Sequence, residues 1–168
     1  SRTFRDHFKR GEELIDFDEA CIEIRAQHDR FVEIVGREPD YFEAHAVMSK
    51  NLNRAISAVA QELGLKEQKA SFDPAAVVHC GDTDLRMVMR SMEPGYEPKE
   101  AIMQTVRGMV DGETVVFVCH PGYLDRFILE NSSLTTDRTK EVDALIDPEL
   151  RAWLESQSDL RLIDYRDL

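Results

Sequence analysis

Apolar residues recur along the chain with two spacings, one helical and one extended. Phe17, Cys21, Ile24, Phe31 and Val35 fall close to a single helical stripe, the pattern of a helix with one buried face. Asp18 and Glu19 suit the first turn of that helix, and Gly36 suits its exit. After Pro39 the stretch from Tyr41 to Val47 reads as a strand. Ser49 can then cap a second helix with an inner face of Leu52, Ala55, Ile56, Val59 and Leu63, closed by Gly64. Ala75 to Cys80 and Leu85 to Met89 predict two short strands about a Gly81-Asp82 turn. Ala101, Ile102, Val106, Met109 and Val110 predict a third helix that ends near Gly112.

The most apolar run follows. Glu113 to Cys119 is rich in β-branched residues, and it stops abruptly at His120-Pro121-Gly122-Tyr123. A continuous apolar run of this length is the mark of a strand buried on both faces, as in a parallel sheet covered by helices. Pro121 cannot donate to a ladder and Gly122 tolerates unusual dihedrals, so His120 is expected at the C-terminal lip of the strand. Pro121 to Thr136 reads as a long connection. Thr136 or Asp137 begins a helix through Val142, Leu145 and Ile146, and Asp147-Pro148-Glu149 begins another that carries Leu150, Trp153 and Leu154. Leu160 to Tyr165 is predicted as a last strand.

Strands separated by helices argue for an α/β fold built from parallel βαβ units. Four or five strands do not close an eight-stranded barrel, so the expectation is an open parallel sheet or an incomplete, distorted TIM-like (β/α) barrel with flanking helices. The 168 residues suit a single domain. The chain opens on Ser1 rather than methionine, which points to the C-terminal portion of a longer barrel. On that reading apolar surface is exposed at the missing edge, to be covered by the rest of the protein or by self-association into a homo-oligomer.

Composition removes several classes of function. A formal charge of -12 disfavours phosphate-backbone partners, so no nucleic acid is expected. No apolar run approaches the roughly 20 residues needed to span a bilayer, and no membrane partner is expected. Cys21, Cys80 and Cys119 are widely spaced, the pattern of buried thiols in a reducing, cytoplasmic setting rather than of a disulfide framework.

The candidate chemistry lies in two histidines. His45 and His120 each stand near a strand end, and parallel strands would deliver both imidazoles to one rim, where α/β folds place their sites. Neutral imidazole is a common metal ligand and the usual proton shuttle near neutral pH. Glu43, two residues before His45, falls on the same strand face. Cys119 and His120 are adjacent and therefore point to opposite faces, which argues against a Cys-His pair. His28, on the flank of the first helical stripe, reads as a packing residue. Residue types alone stop at an α/β protein with a metal or acid-base site and an open substrate class.

A family resemblance goes further. Phe117-Val118-Cys119-His120-Pro121-Gly122-Tyr123-Leu124-Asp125, followed by Asn131-Ser132-Ser133-Leu134-Thr135 and Arg138-Thr139-Lys140-Glu141, resembles the C-terminal two thirds of the YdjC-like (ChbG/HpnK) carbohydrate deacetylases. Gln27 to Phe31 and Gly36-Arg37-Glu38-Pro39 through His45 resemble the segment leading to that family's histidine-bearing strand, and Leu162 to Leu168 its last strand. The resemblance implies a metal-dependent hydrolase that removes acetyl groups from N-acetylated sugars, such as chitin-derived oligosaccharides. It assigns His45 as a ligand to a divalent metal ion (magnesium or zinc) and His120 as the general acid, with Glu43, Pro121, Gly122, Tyr123 and Arg138 placed to contact the substrate. The family's opening Asp-Asp motif and first metal histidine are not found in these residues, and Glu43 stands where the family has Asp. The rival expectation is a catalytically inactive barrel remnant that binds sugars or a partner.

Overall fold

The computed structural model describes residues 6, 7, 9–44, 47, 49–69, 71 and 76–168. They form two compact units. The first comprises Ser1–Ala70, Val78–Thr83 and Ile163–Leu168, and the second Ser71–Val77 and Asp84–Leu162.

The first unit contains helix α1 (Phe17–Val35), strand β1 (Tyr41–Glu43), helix α2 (Lys50–Leu63), strand β2 (Lys66–Gln68) and most of strand β3 (Val77–Cys80). Asp16 caps α1 by accepting from the N–H groups of Asp18 and Glu19, and Gly36 ends it at φ 76°. Ser49 caps α2 through the N–H of Leu52. The predicted stripes meet: Cys21 and Ala20 of α1 pack on Ala55 and Val59 of α2, with Phe17, Ile24, Phe42 and Leu52 around them. The outer ends of the stripes differ from expectation, because Val35 and Leu63 lie on the last turns and are exposed at 47% and 38%. β1 pairs with β2 in parallel, Phe42 opposite Glu67, while β2 meets β3 antiparallel at Gln68 and Cys80. The purely parallel expectation is corrected there. β2 itself is Lys-Glu-Gln, a strand with no apolar signal, which is why its sequence reads as a loop.

Leu160 to Tyr165 is not a strand. Leu162 is 61% exposed, and the chain turns on a local network in which the N–H of Asp164 donates to Asp167 and that of Arg166 donates to Asp164. Acidic side chains that hydrogen-bond their own backbone compete with a ladder. Tyr165 instead stacks on Tyr41, with ring centroids 3.8 Å apart.

The second unit contains strand β4 (Thr83–Val88, from Asp84 onward), helix α3 (Pro98–Arg107), strand β5 (Val115–Phe117) and helices α4 (Arg126–Asn131), α5 (Thr136–Ile146) and α6 (Pro148–Glu155). β4 and β5 pair in parallel, Arg86 opposite Val115 and Val88 opposite Phe117. α3 ends at Arg107, capped by Gly108, so Met109 and Val110 lie beyond it. Ile102, Ala144 and Leu150 form the core between α3, α5 and α6, with Phe117 and Trp153 against it. One further expectation is corrected, and one predicted helix is found with an unexpected buried residue. β5 is half-buried along its length and stands at the edge of the sheet formed by the described strands. α5 buries Glu141 and Ala144, while Leu145 and Ile146 are exposed at 52% and 71%. The fold class is α/β, and the five described strands fall short of the eight of a closed barrel.

His28 carries a pH signature. Its ring is 9% exposed, with Nε2 2.6 Å from a Glu38 carboxylate oxygen and Nδ1 3.1 Å from one of Asp29. Two carboxylates on two ring nitrogens favour the imidazolium, and the pKa is raised by the Glu38 bond first and Asp29 next. A raised folded value gives stabilisation that is fully present below the unfolded value, about 6.5, and is lost as pH rises through the folded value. The melting-temperature gap between the wild type and His28→Gln should therefore be widest below about pH 6.5 and close as the medium becomes alkaline. A gap that does not change with pH would contradict this assignment.

Candidate active site

The site is assembled in the second unit from the end of β5. The strand stops at Phe117, and one more ladder bond, from the Val118 N–H to the Val88 carbonyl (2.8 Å), carries the pairing a residue further. Beyond it the main chain of His120 has no strand to bond. Its polar groups still require partners, and α5 supplies both. The His120 N–H donates to Glu141 Oε2 at 2.5 Å, and the His120 carbonyl accepts from an Arg138 guanidinium N–H at 3.1 Å. Arg138 and Glu141 are three residues apart and so share one side of the helix. A second guanidinium N–H of Arg138 donates to the Leu134 carbonyl (3.0 Å), and the Gly122 N–H returns a bond to the Arg138 carbonyl (3.3 Å).

The imidazole is held separately. Ser91, fully buried in the turn after β4, places its Oγ 3.1 Å from His120 Nδ1. Tyr96, from the same turn, donates its hydroxyl to Glu141 Oε1 at 3.0 Å. Lys140 fastens that turn to α5 by donating to the Tyr96 carbonyl (3.0 Å) and to the Glu97 carboxylate (2.8 Å). A cavity of about 430 Å³ opens beside the turn, lined by Ser91, Met92, Tyr96, Leu134 and Asp137 among others. Burial, then the bond to Glu141, pushes the Tyr96 phenol well above its ordinary range, so it remains a hydrogen-bond donor.

The predicted residues fall as follows. His120, Gly122 and Arg138 are brought together in the second unit. Pro121 and Tyr123 extend from the same lip, Tyr123 at 80% exposure. Glu43 closes β1 in the first unit, exposed, at the rim of a cavity of about 540 Å³ that Ile15, Ile24, Phe42, Leu52 and Ile56 line in part. His45 lies outside the described residues. Among the described residues no group of three or more His, Cys, Asp or Glu side chains could hold a metal ion, so they do not complete a metal shell by themselves.

Sequence reasoning did not single out Ser91, Tyr96 or Glu141. Glu141 carried the only usable signal: it is in phase with Arg138 and Ala144 on one helical face, where a charged residue opposite a strand end invites a buried role. Ser91 and Tyr96 sit in turn sequence, whose partners only the folded chain reveals.

Cys119 is unsuited to nucleophilic chemistry. Burial, with a smaller contribution from Glu141, pushes its thiol up to about 11, which leaves roughly one part in 10⁴ as thiolate at neutral pH. Its alkylation by iodoacetamide, followed by peptide mass spectrometry, should accelerate steadily with pH and show no plateau by about pH 9. A plateau near neutrality would show an activated thiol.

Comparison with known proteins supplies the context for this geometry. The model of the YdjC-like protein family matches residues 2–156. A protein named carbohydrate deacetylase 2 from Listeria innocua is 27% identical over 154 residues, 90% of this chain and 60% of that protein. A chitooligosaccharide deacetylase of Klebsiella pneumoniae is 28% identical over 167 residues, covering 94% of this chain and 64% of the relative. A crystal structure from Enterococcus faecalis V583, named for cellobiose-phosphate cleavage, superposes with a TM-score of 0.69 at 22% identity, over 91% of this chain and 61% of that one. That likeness is one of fold. The chain spans about three fifths of the length of the curated relatives it matches.

Proposed function

The chain belongs to the YdjC-like protein family, and from that membership we propose that the whole protein is a metal-dependent carbohydrate deacetylase acting on N-acetylated oligosaccharides of the chitooligosaccharide type. In this reading His120 is the general acid. The observation that carries it is the way His120 is held at the end of β5: Nδ1 against Ser91 Oγ, and both main-chain polar groups gripped by α5.

The reaction is hydrolysis of an acetamide. The oxygen of water bonds to the acetyl carbon as water gives up its protons, the carbon–nitrogen bond breaks, and acetate and the protonated amine of the sugar are the products. An amine anion is a very poor leaving group, so the nitrogen must gain a proton as the bond breaks. When Ser91 Oγ accepts from Nδ1–H, the imidazolium carries its deliverable proton on Nε2, the contact fixes the ring's orientation, and transfer leaves the neutral Nδ1–H tautomer. Tyr123 offers an aromatic face to a sugar ring. Pro121 and Gly122 shape the lip beside it, and Arg138 holds that lip through the His120 carbonyl. Glu43 is assigned to sugar hydroxyls. His45 is assigned as the ligand this chain contributes to a divalent cation, magnesium or zinc, which when bound polarises an amide carbonyl and acidifies water.

In the full-length protein, His120→Gln should lower kcat for acetate release from a chitooligosaccharide by about 10²- to 10⁴-fold, the range for loss of a general acid, with the circular dichroism spectrum unchanged. Chelation should abolish the activity of the wild type, and magnesium or zinc should restore it. Full activity in His120→Gln would remove the acid assignment, and chelator-insensitive turnover would remove the metal. Oligosaccharide binding without acetate release would favour a sugar-binding remnant.

A further inference from the structure

Among the described residues of the second unit, Glu141 is the charged side chain that is fully buried, at 0% exposure. Burying a carboxylate carries a large desolvation penalty unless its oxygens are bonded. Both are. Oε2 accepts from the His120 peptide N–H and Oε1 from the Tyr96 hydroxyl. A carboxylate only accepts, so each donor is matched to one oxygen without ambiguity. Nothing about α5 itself needs this arrangement. One turn further along α5, Ala144 enters an apolar core with Ile102 of α3 and Leu150 of α6.

We propose that Glu141 is a positioning residue for the acid step. It fixes the His120 peptide from the N–H side while Arg138 fixes the carbonyl, and Tyr96 keeps the carboxylate from rotating. The imidazole then projects from a main chain that cannot pivot, and Ser91 sets the remaining torsion. Glu141 acts through His120 and touches no substrate. The inference rests on the deacetylase reading and adds to it the residues that set the acid's aim.

The test uses the full-length protein and two acetamides, a chitooligosaccharide and 4-nitroacetanilide. The leaving nitrogen of the second is stabilised by the ring and needs far less help from an acid. Glu141→Gln removes the charge-assisted bond to the His120 N–H: the amide either turns its NH₂ to that N–H, donor against donor, or turns its oxygen there and its NH₂ to the Tyr96 hydroxyl, leaving a weaker neutral bond. The expected result on the oligosaccharide is a fall in kcat of up to about 10²-fold, as for a misplacement of about 1 Å, with KM within about twofold. On the anilide the fall should be much smaller. Added to His120→Gln, the Glu141 change should cost little more, because residues acting as one unit are not additive. Tyr96→Phe, which keeps the ring and removes one donor, serves if Glu141→Gln does not fold; it should show the same leaving-group dependence at a lesser magnitude.

Equal losses on both substrates, or unchanged kcat in either folded variant, would overturn the positioning role. These outcomes are separable from failure of the deacetylase reading. If His120→Gln is inactive while Glu141→Gln retains full kcat, only the positioning role is lost. If His120→Gln itself retains full activity, the deacetylase mechanism falls first.

Discussion

A parallel strand that ends beside a helix leaves an unfinished ladder, and the second unit is arranged around that problem. Past Val118 the main chain still carries an N–H and a carbonyl at His120, with no further strand to take them. Water is the usual remedy at a loop, but it would leave the residue free to wander. Here a helix laid beside the strand end presents a cation and an anion one turn apart, Arg138 to the carbonyl and Glu141 to the N–H. Hydrogen bonds to charged groups contribute about 1.5–3 kcal/mol each, enough to hold a short segment against its conformational entropy, at about 1–2 kcal/mol per residue.

The same economy explains why so much of the site comes from irregular sequence. Ser91 and Tyr96 lie in a turn that would be mobile if left alone. Lys140 and Glu141, consecutive on α5, reach that turn at its carbonyl and its phenol, so one helix orders both the strand end and the turn beside it. Loops that carry chemistry are commonly supported by a rigid scaffold; in this protein the scaffold is a single helix of 11 residues.

The helices that pack by apolar stripes were legible in the sequence. Cys21, Ala55 and Val59 meet as their spacing requires, and Ser49, Gly36 and Gly64 cap where their chemistry says they should. Two segments, and the buried face of one correctly placed helix, were not legible, each for a physical reason. β2 is polar because its side chains find polar partners, Glu67 accepting from the Ser57 hydroxyl and Lys66 donating to the Tyr165 carbonyl. Leu160 to Tyr165 has the composition of a strand, but the nearby acidic side chains turn the backbone on itself. α5 exposes Leu145 and Ile146 because the buried face belongs to a carboxylate, and a hydrophobic count cannot see a charge whose partners come from distant turns. His120 at the strand end was readable from its apolar run and the Pro-Gly that follows. Glu141 was passed over because a charged residue reads as a surface residue, although its phase with Ala144 puts it on the buried side of α5.

Arg86 and Glu113 set the height of the whole arrangement. Their side chains pair across β4 and β5 through two guanidinium contacts, one of them 3.0 Å, just below the rung where Arg86 faces Val115. A slip of one residue between these strands would turn every side chain to the wrong face and is disfavoured by burial. A slip of two residues preserves the faces, and the apolar run Val115-Val116-Phe117-Val118 would accept it almost without complaint. It would also carry the imidazole about 6.6 Å along the strand axis, past the reach of Ser91. The ion pair is thus a vernier: it selects, among rungs that hydrophobic contact cannot tell apart, the one at which a serine in the turn after one strand and a histidine past the end of the next come level.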